Sequence, residues 1–238
     1  MTSSHNNKPV ALLVGASSGL GRELALALAE HYHLVLLASS QARLEETDDL
    51  LREKYGTSAT LVPLDLKKHD TIDAMIAGLW QRFARLDLLC LMAATIGEAT
   101  PLAHCDPKKF NDMINVNLSA PFRILRACDA VLRQSPDAQV ACITGMMSEN
   151  GTTPNAFTAG FDASKAALLQ LSQNYARELE QTSVRAFTID PTCFESRLRR
   201  KVFPGQKGNA LPSASEKAAK IAKILLNNQA SNGTHYTV

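Results

Sequence analysis

The segment Gly15-Ala16-Ser17-Ser18-Gly19-Leu20-Gly21 joins the apolar run Val10–Val14 to a stretch in which leucines recur at helical spacing. The apolar run predicts a buried strand, and the leucine stripe predicts an amphipathic helix. Glycines let the backbone approach a phosphate closely, and a helix N-terminus offers unpaired N–H groups and partial positive charge. Because the cluster lies between a strand and a helix, it predicts a phosphate-binding loop rather than only a tight turn. The candidate ligands in this loop are Gly15, Ser17, Ser18, Gly19, Leu20 and Gly21.

Strand and helix signals alternate along the rest of the chain. Apolar runs predict strands at 10–14, 34–37, 59–64, 86–94, 140–144, 184–189 and 235–238. Helical patterns occupy 20–32, 41–55, 71–83, 106–134, 160–180 and 214–227. Strands that are apolar throughout suit a parallel sheet covered on both faces, and strict alternation with helices indicates a doubly wound α/β fold. The sequence predicts one domain over residues 1–238, with an irregular loop at about 197–212.

Composition excludes several classes of protein. The 238 residues carry a formal net charge of +2, with 45% apolar and 20% charged residues, which disfavours a dedicated nucleic-acid binder and a disordered chain. No apolar run of about 18 residues predicts a membrane span, and the polar residues 1–9 do not resemble a signal peptide. The five cysteines form no CxxC pair, which predicts a reducing, cytoplasmic location and neither a disulfide framework nor a metal site.

The glycine spacing G-x-x-x-G-x-G resembles that of the short-chain dehydrogenase/reductase (SDR) family. Three further matches follow in the family's order: Asp65 after the third strand, Asn117 in Asn-Val-Asn-Leu, and Lys165 in Ser-Lys-Ala-Ala. The resemblance covers nearly the whole chain. It implies a Rossmann-type sheet of seven parallel strands between two helical layers, a bound NAD(H) or NADP(H), and a homodimer or homotetramer.

The resemblance also implies further cofactor contacts. Asp65 and Leu66 would lie at the adenine, although Asp65 could instead cap the next helix. Pro191 and Ser196 would lie at the nicotinamide, with Thr192 where the family usually has glycine. The helices at 106–134 and 160–180 would form the subunit contact, through apolar outer faces that carry Phe110, Ile114, Leu171 and Tyr175.

The end of the second strand bears on the choice of cofactor. An acid there would bind the ribose hydroxyls and repel a 2′-phosphate, whereas this chain has Ser39 and Ser40, with Arg43 one turn away. Because no carboxylate stands at this point, the sequence favours NADP(H) over NAD(H). Arg22 reads equally as a phosphate ligand and as a solvated helix residue.

The catalytic residues implied by the family are only partly present. The family uses a Tyr as proton donor, a Lys four residues later, a Ser that polarises the carbonyl, and an Asn that holds a water. Lys165 and Asn117 match, but Phe161 stands at the Tyr position and has no hydrogen-bonding group. Aligned from the strand, Gly145 takes the Ser position; counted back from Phe161, Ser148 does. No other tyrosine replaces the missing one, since Tyr175 is ten residues beyond Lys165, about 15 Å along the helix.

Two functions follow from this pattern. One is an NADP(H)-linked oxidoreductase of carbonyl or alcohol substrates with impaired or altered catalysis, in which Lys165, Asn117 and solvent supply the proton. The other is a non-catalytic dinucleotide-binding sensor or partner subunit on the same scaffold. The basic cluster at residues 197–201 reads either as a solvated helix face or as an attraction for an anionic substrate or the cofactor's phosphates.

Overall fold

The strands form one parallel sheet in the order β3-β2-β1-β4-β5-β6-β7. The computed structural model describes residues 8–145, 155–205, 211–227 and 230–238, so Ser148 and residues 206–210 of the expected loop lie outside the described residues. The strands are β1 Val10–Val14, β2 His33–Ala38, β3 Thr60–Pro63, β4 Leu88–Leu91, β5 Ala138–Ile143, β6 Val184–Asp190 and β7 His235–Thr237. The predicted seven-stranded, doubly wound sheet is confirmed.

Helices cover both faces of this sheet. They are α1 Gly19–Leu28, α2 Gln41–Tyr55, α3 His69–Arg82, α4 Pro107–Ile114, α5 Ala120–Leu132, α6 Ala159–Glu178, α7 Arg197–Val202 and α8 Ala214–Leu226. Along β1, Leu12 and Val14 pack against α3, α5 and α6, whereas Ala11 and Leu13 pack against α1, α2 and α8. The inner strands therefore bury both of their faces, which explains why their sequences are largely apolar. The edge strands β3 and β7 are partly exposed. Each fully buried leucine contributes roughly 1.5–3 kcal/mol.

The long helix expected at 106–134 is interrupted. A π-helical turn, Asn115–Ser119, separates α4 from α5 and contains the buried Asn117. A π turn widens the helix by one residue and is frequently found at functional sites. The helix begins where the Asp-Pro pair predicted, because the Asp106 carboxylate accepts hydrogen bonds from the N–H groups of Lys108 and Lys109.

The segment expected to be an irregular loop at 197–212 is partly helical. Helix α7 occupies its first six residues, and the Ser196 hydroxyl caps it by accepting a hydrogen bond from the Arg199 N–H at 3.1 Å. Proline and glycine later in the segment suggested a loop, but Arg197–Val202 contains neither.

The face expected to meet a second subunit is more polar and better covered than the sequence suggested. Leu171 and Tyr175 pack partly against the chain's own core. The Tyr175 hydroxyl also donates a hydrogen bond to Asp129 at 2.7 Å. Homo-oligomerisation stays a prediction. Within the described ranges, no helix combines the length and the hydrophobicity that crossing a bilayer requires.

Candidate functional site

A cleft of about 500 Å³ runs along the carboxyl ends of the strands. The chain passes from β1 to β2 on one side and from β3 back to β4 on the other, so the strand order reverses at β1. Open α/β sheets bind ligands in the crevice at such a reversal. The cleft is lined by the loops after β1 to β6, the start of α1, residues of α6 and part of α7.

The glycine loop forms the centre of this cleft. Gly15 adopts a φ of +95°, and a Cβ there would lie 2.7 Å from the Ala93 backbone nitrogen, so only glycine fits. Ser18, the N-cap of α1, makes no side-chain capping bond, and the first turn carries no acid. Helix N–H groups that are left uncapped and free of acids suit an anion. All six predicted loop residues line the cleft, and their arrangement fits the phosphates of a dinucleotide.

Arg22 supports the loop from behind. Its guanidinium donates to the Ser17 carbonyl at 3.0 Å and to the Thr47 hydroxyl at 3.2 Å, and it pairs with Glu46 at 2.7 Å. The sequence could not distinguish a phosphate ligand from a solvated residue. In the structure, Arg22 instead stabilises the glycine loop, because these contacts hold the loop backbone in place.

The predicted nucleotide end lies beyond β2 and β3. Ser39, Asp65 and Leu66 line the cleft there. Ser40 instead caps α2, since its hydroxyl accepts a hydrogen bond from the Arg43 N–H at 3.5 Å. Neither Ser40 nor Arg43 is among the residues that line the cleft.

Phe161 and Lys165 lie one turn apart on α6, and both line the cleft. The Lys165 ammonium donates a hydrogen bond to the Ile143 carbonyl at 2.8 Å and lies 5.9 Å from the centre of the Phe161 ring. Burial lowers the pKa of Lys165 to about 8, although Cys142 and Asp190 nearby act in the opposite direction. The group therefore changes charge near pH 8, beside an aromatic ring that cannot exchange a proton.

Asn117 joins three elements below the cleft. Its amide donates to the Thr95 carbonyl and to the Ser164 hydroxyl, each at 2.9 Å, and accepts from the Thr95 N–H at 2.8 Å. Ser164 in turn donates to the Phe161 carbonyl at 2.6 Å. Both N–H donors of Asn117 are thus used to fix the loop after β4 against α6, so a water would have to bind elsewhere on this residue.

Gly145 lines the cleft at the end of β5, at one of the two positions expected for a serine. Its φ is +100°, and a Cβ would lie 2.6 Å from Asp190 Oδ1. That oxygen already accepts the Thr192 N–H at 2.7 Å. A side chain here would have to displace the hydrogen-bonded Asp190 carboxylate and adopt a φ that favours glycine. The alternative position, Ser148, lies outside the described residues.

The segment after β6 completes the cleft, and Pro191 and Ser196 line it as the sequence led us to expect. Other residues of this segment also line the cleft and were not identified from the sequence. Thr192 adopts a φ of +54°, the left-handed region that glycine would occupy more easily. Its hydroxyl donates to the Val238 carbonyl at 2.9 Å and accepts from the Lys217 ammonium at 2.7 Å. Burial lowers the pKa of Lys217. The one signal in the sequence was that Thr192 stands where the family usually has glycine, which suggested an unusual backbone conformation there.

Comparison with known proteins agrees with the fold. A family model described as short chain dehydrogenase matches residues 9–207. The 3-oxoacyl-[acyl-carrier-protein] reductase FabG of Staphylococcus aureus is 30% identical over 184 residues, which cover 76% of this chain and 72% of that protein. The chain therefore belongs to the short-chain dehydrogenase/reductase family of oxidoreductases.

Solved structures show the same fold. A Pseudomonas syringae protein assigned provisionally to the short chain dehydrogenases superposes with a TM-score of 0.87 and 28% identity, covering 96% of this chain and 94% of that one. A Shigella flexneri protein with the same provisional assignment, solved with NADP, gives a TM-score of 0.88 at 22% identity and covers 97% of each chain.

Proposed function

We propose that this chain binds NADP(H) in the cleft and is an oxidoreductase of carbonyl or alcohol substrates whose turnover is slowed because Phe161 occupies the position of the proton-donating tyrosine. The observation that carries the proposal is the pair on α6. Lys165 lines the cleft, and Phe161, one helical turn earlier, lines it with a ring that carries no hydroxyl. A helix places residues four apart on one face, which is the arrangement in which a tyrosine and a lysine act together.

Each end of the cleft would hold a different part of the dinucleotide. The glycine loop would hold the pyrophosphate, Asp65 the adenine, and Lys165 the hydroxyls of the nicotinamide ribose. When bound, the nicotinamide supplies or accepts a hydride. Ser39 follows β2 without a carboxylate beside it, which leaves room for a 2′-phosphate. The Shigella flexneri protein, which has the same fold and was solved with NADP, supports this choice of cofactor.

Proton delivery is the weakened step. Loss of a positioned general acid costs about 10²–10⁴-fold in rate. Gly145 has no hydroxyl that could donate a hydrogen bond to an oxyanion. The oxyanion is therefore less stabilised unless the Ser148 hydroxyl takes that role. Of the family's catalytic residues that this chain keeps, Lys165 can donate a proton through its ammonium, whose pKa of about 8 keeps it largely protonated at pH 7.

The test compares wild type with Phe161→Tyr and, as the matched control, Phe161→Leu. NADPH binding is measured first by fluorescence titration, followed by turnover of a panel of ketones and aldehydes. We expect all three proteins to bind NADPH and only Phe161→Tyr to gain turnover, by about 10²-fold or more. Equal turnover by wild type and Phe161→Tyr would show that catalysis is not limited by the missing phenol.

A second candidate is a non-catalytic sensor or partner subunit that keeps the dinucleotide. It is favoured by the absence of a hydroxyl at both Phe161 and Gly145. Under this alternative, NADPH binds wild type tightly, but neither wild type nor Phe161→Tyr reduces any member of the panel.

A further inference from the structure

Helix α7 lies against the Phe161 side of the cleft. Leu198, Val202 and Phe203 pack on the cluster formed by Ile96, Met113 and Phe161. The Ser196 hydroxyl caps the helix at its start. These apolar contacts fix both the position and the rotation of α7, so the direction of its charged residues follows from the packing.

Three basic residues of α7 line the cleft as a result: Arg197, Arg199 and Lys201. Arg199 is buried, donates to Cys193 Sγ at 3.4 Å and has its guanidinium 4.6 Å from the centre of the Phe203 ring. Arg197 and Lys201 are exposed and are four residues apart, which places them on one helix face. Arg200 is also exposed but does not line the cleft.

The described lining of the cleft carries little negative charge. Among the described residues that line the cleft, the only carboxylate is Asp65, which follows β3. Within the same described ranges, neither Arg197 nor Lys201 forms an ion pair. Both charges are therefore available to a ligand.

The cofactor's phosphates lie in another part of the cleft under the proposed function. The glycine loop follows β1, and Ser39 follows β2, whereas α7 follows β6. With strands about 4.8 Å apart, β6 is about 14 Å from β1 and about 19 Å from β2. The basic end of the cleft is thus on the side of Phe161 and Lys165, where a substrate would lie.

We propose that the cleft is selective for carbonyl or alcohol substrates that carry an anionic group, a carboxylate or a phosphate, held by Arg197 and Lys201. Phe194 and Leu198, which also line this end, provide apolar contact for the carbon skeleton. The inference rests on the proposed function, because it assigns the substrate class of the same cleft.

The experiment measures binding of matched probe pairs by ligand-observed NMR titration, with and without saturating NADPH. One pair is levulinate and methyl levulinate, and the other is dihydroxyacetone phosphate and dihydroxyacetone. The two pairs distinguish a carboxylate preference from a phosphate preference. The proteins are wild type, the double variant Arg197→Ala/Lys201→Ala, and Arg200→Ala as the control from the same helix.

We expect wild type and Arg200→Ala to bind at least one anionic probe about three- to tenfold more tightly than its neutral counterpart, since two partly exposed ion pairs are worth that much. The double variant should lose this preference while binding NADPH and the neutral probes as before. Equal binding of anionic and neutral probes by wild type would overturn the inference. So would an equal loss in Arg200→Ala, or a parallel loss of NADPH affinity in the double variant.

The two proposals fail separately in this design. If wild type does not bind NADPH, the proposed function fails. The anion preference is still judged from the titrations without NADPH.

Discussion

Gly145 shows how a single backbone position limits the chemistry of the site. Its positive φ favours glycine, and the neighbouring Asp190 carboxylate occupies the space of a side chain. Asp190 is in turn held by the Thr192 N–H. A serine cannot simply be restored at this point, whatever residue stands at position 161.

Gly145→Ser should therefore destabilise the protein without adding a catalytic hydroxyl. We expect a loss of about 1–3 kcal/mol in the free energy of unfolding, from the strained φ and the displaced carboxylate. Urea denaturation measures the loss. Gly205→Ser is the matched control, because a Cβ at Gly205 meets nothing within 4 Å. Equal stability of the two variants would contradict the geometry described for Gly145.

Spacing along the sequence located several site residues because they share one local element. Phe161 and Lys165 are a helical turn apart, and the glycine loop is contiguous, so a short pattern identifies each. The bond between Lys217 and Thr192 joins residues 25 apart in the chain, with no local pattern to reveal it. Ser40 illustrates the opposite difficulty: its hydroxyl suits a phosphate and a helix cap equally, and only the structure shows the cap.

At the scale of the element, the hydrophobic pattern predicted most strands and helices correctly. It predicted the residues at which they end less well. Strand β4 was expected over 86–94 but is Leu88–Leu91, because the chain leaves the sheet there to line the cleft. The π turn at Asn115–Ser119 was not predicted, since an inserted residue barely alters helical periodicity. Helix α7 lies at the start of a segment expected to be a loop, because the prolines and glycines that suggested a loop all follow it.

Helix α8 supports the cleft through one side chain. The buried Lys217 ammonium binds the Thr192 hydroxyl at 2.7 Å and the Val238 carbonyl at 2.6 Å. Because Thr192 adopts a left-handed conformation, which costs energy for a residue other than glycine, these bonds help to hold the segment after β6 in place.

Lys217→Met should loosen that segment. We expect a loss of about 1–3 kcal/mol in stability from the two lost hydrogen bonds of the ammonium, and faster hydrogen exchange over residues 191–199. Lys220→Met, an exposed position on the same helix, should change stability by less than about 0.5 kcal/mol. Unchanged exchange over 191–199 in Lys217→Met would show that these bonds do not hold the cleft.

At the scale of the whole molecule, a ligand in the cleft touches loops from six strands and so stabilises the entire fold. A ligand at 100 times its dissociation constant adds about 2.7 kcal/mol of stability, which corresponds to a rise in Tm of about 5–10 °C for a chain of this size. The cleft thus offers a direct measure of cofactor preference.

NADPH should raise the Tm more than NADH at equal concentration, as measured by differential scanning fluorimetry. Ser39→Asp should reverse the order, because an acid at the end of β2 binds ribose hydroxyls and repels a 2′-phosphate. Equal shifts for the two cofactors in wild type would contradict the preference for NADP(H). No shift with either would contradict dinucleotide binding.

Phe161 packs with Ile96 and Met113 in a small cluster separate from the two large cores that cover the sheet. A change at this position leaves both large cores intact. We therefore expect exchange between Phe and Tyr at this position to leave the fold stable, so that a phenol can be gained or lost there without passing through an unfolded sequence.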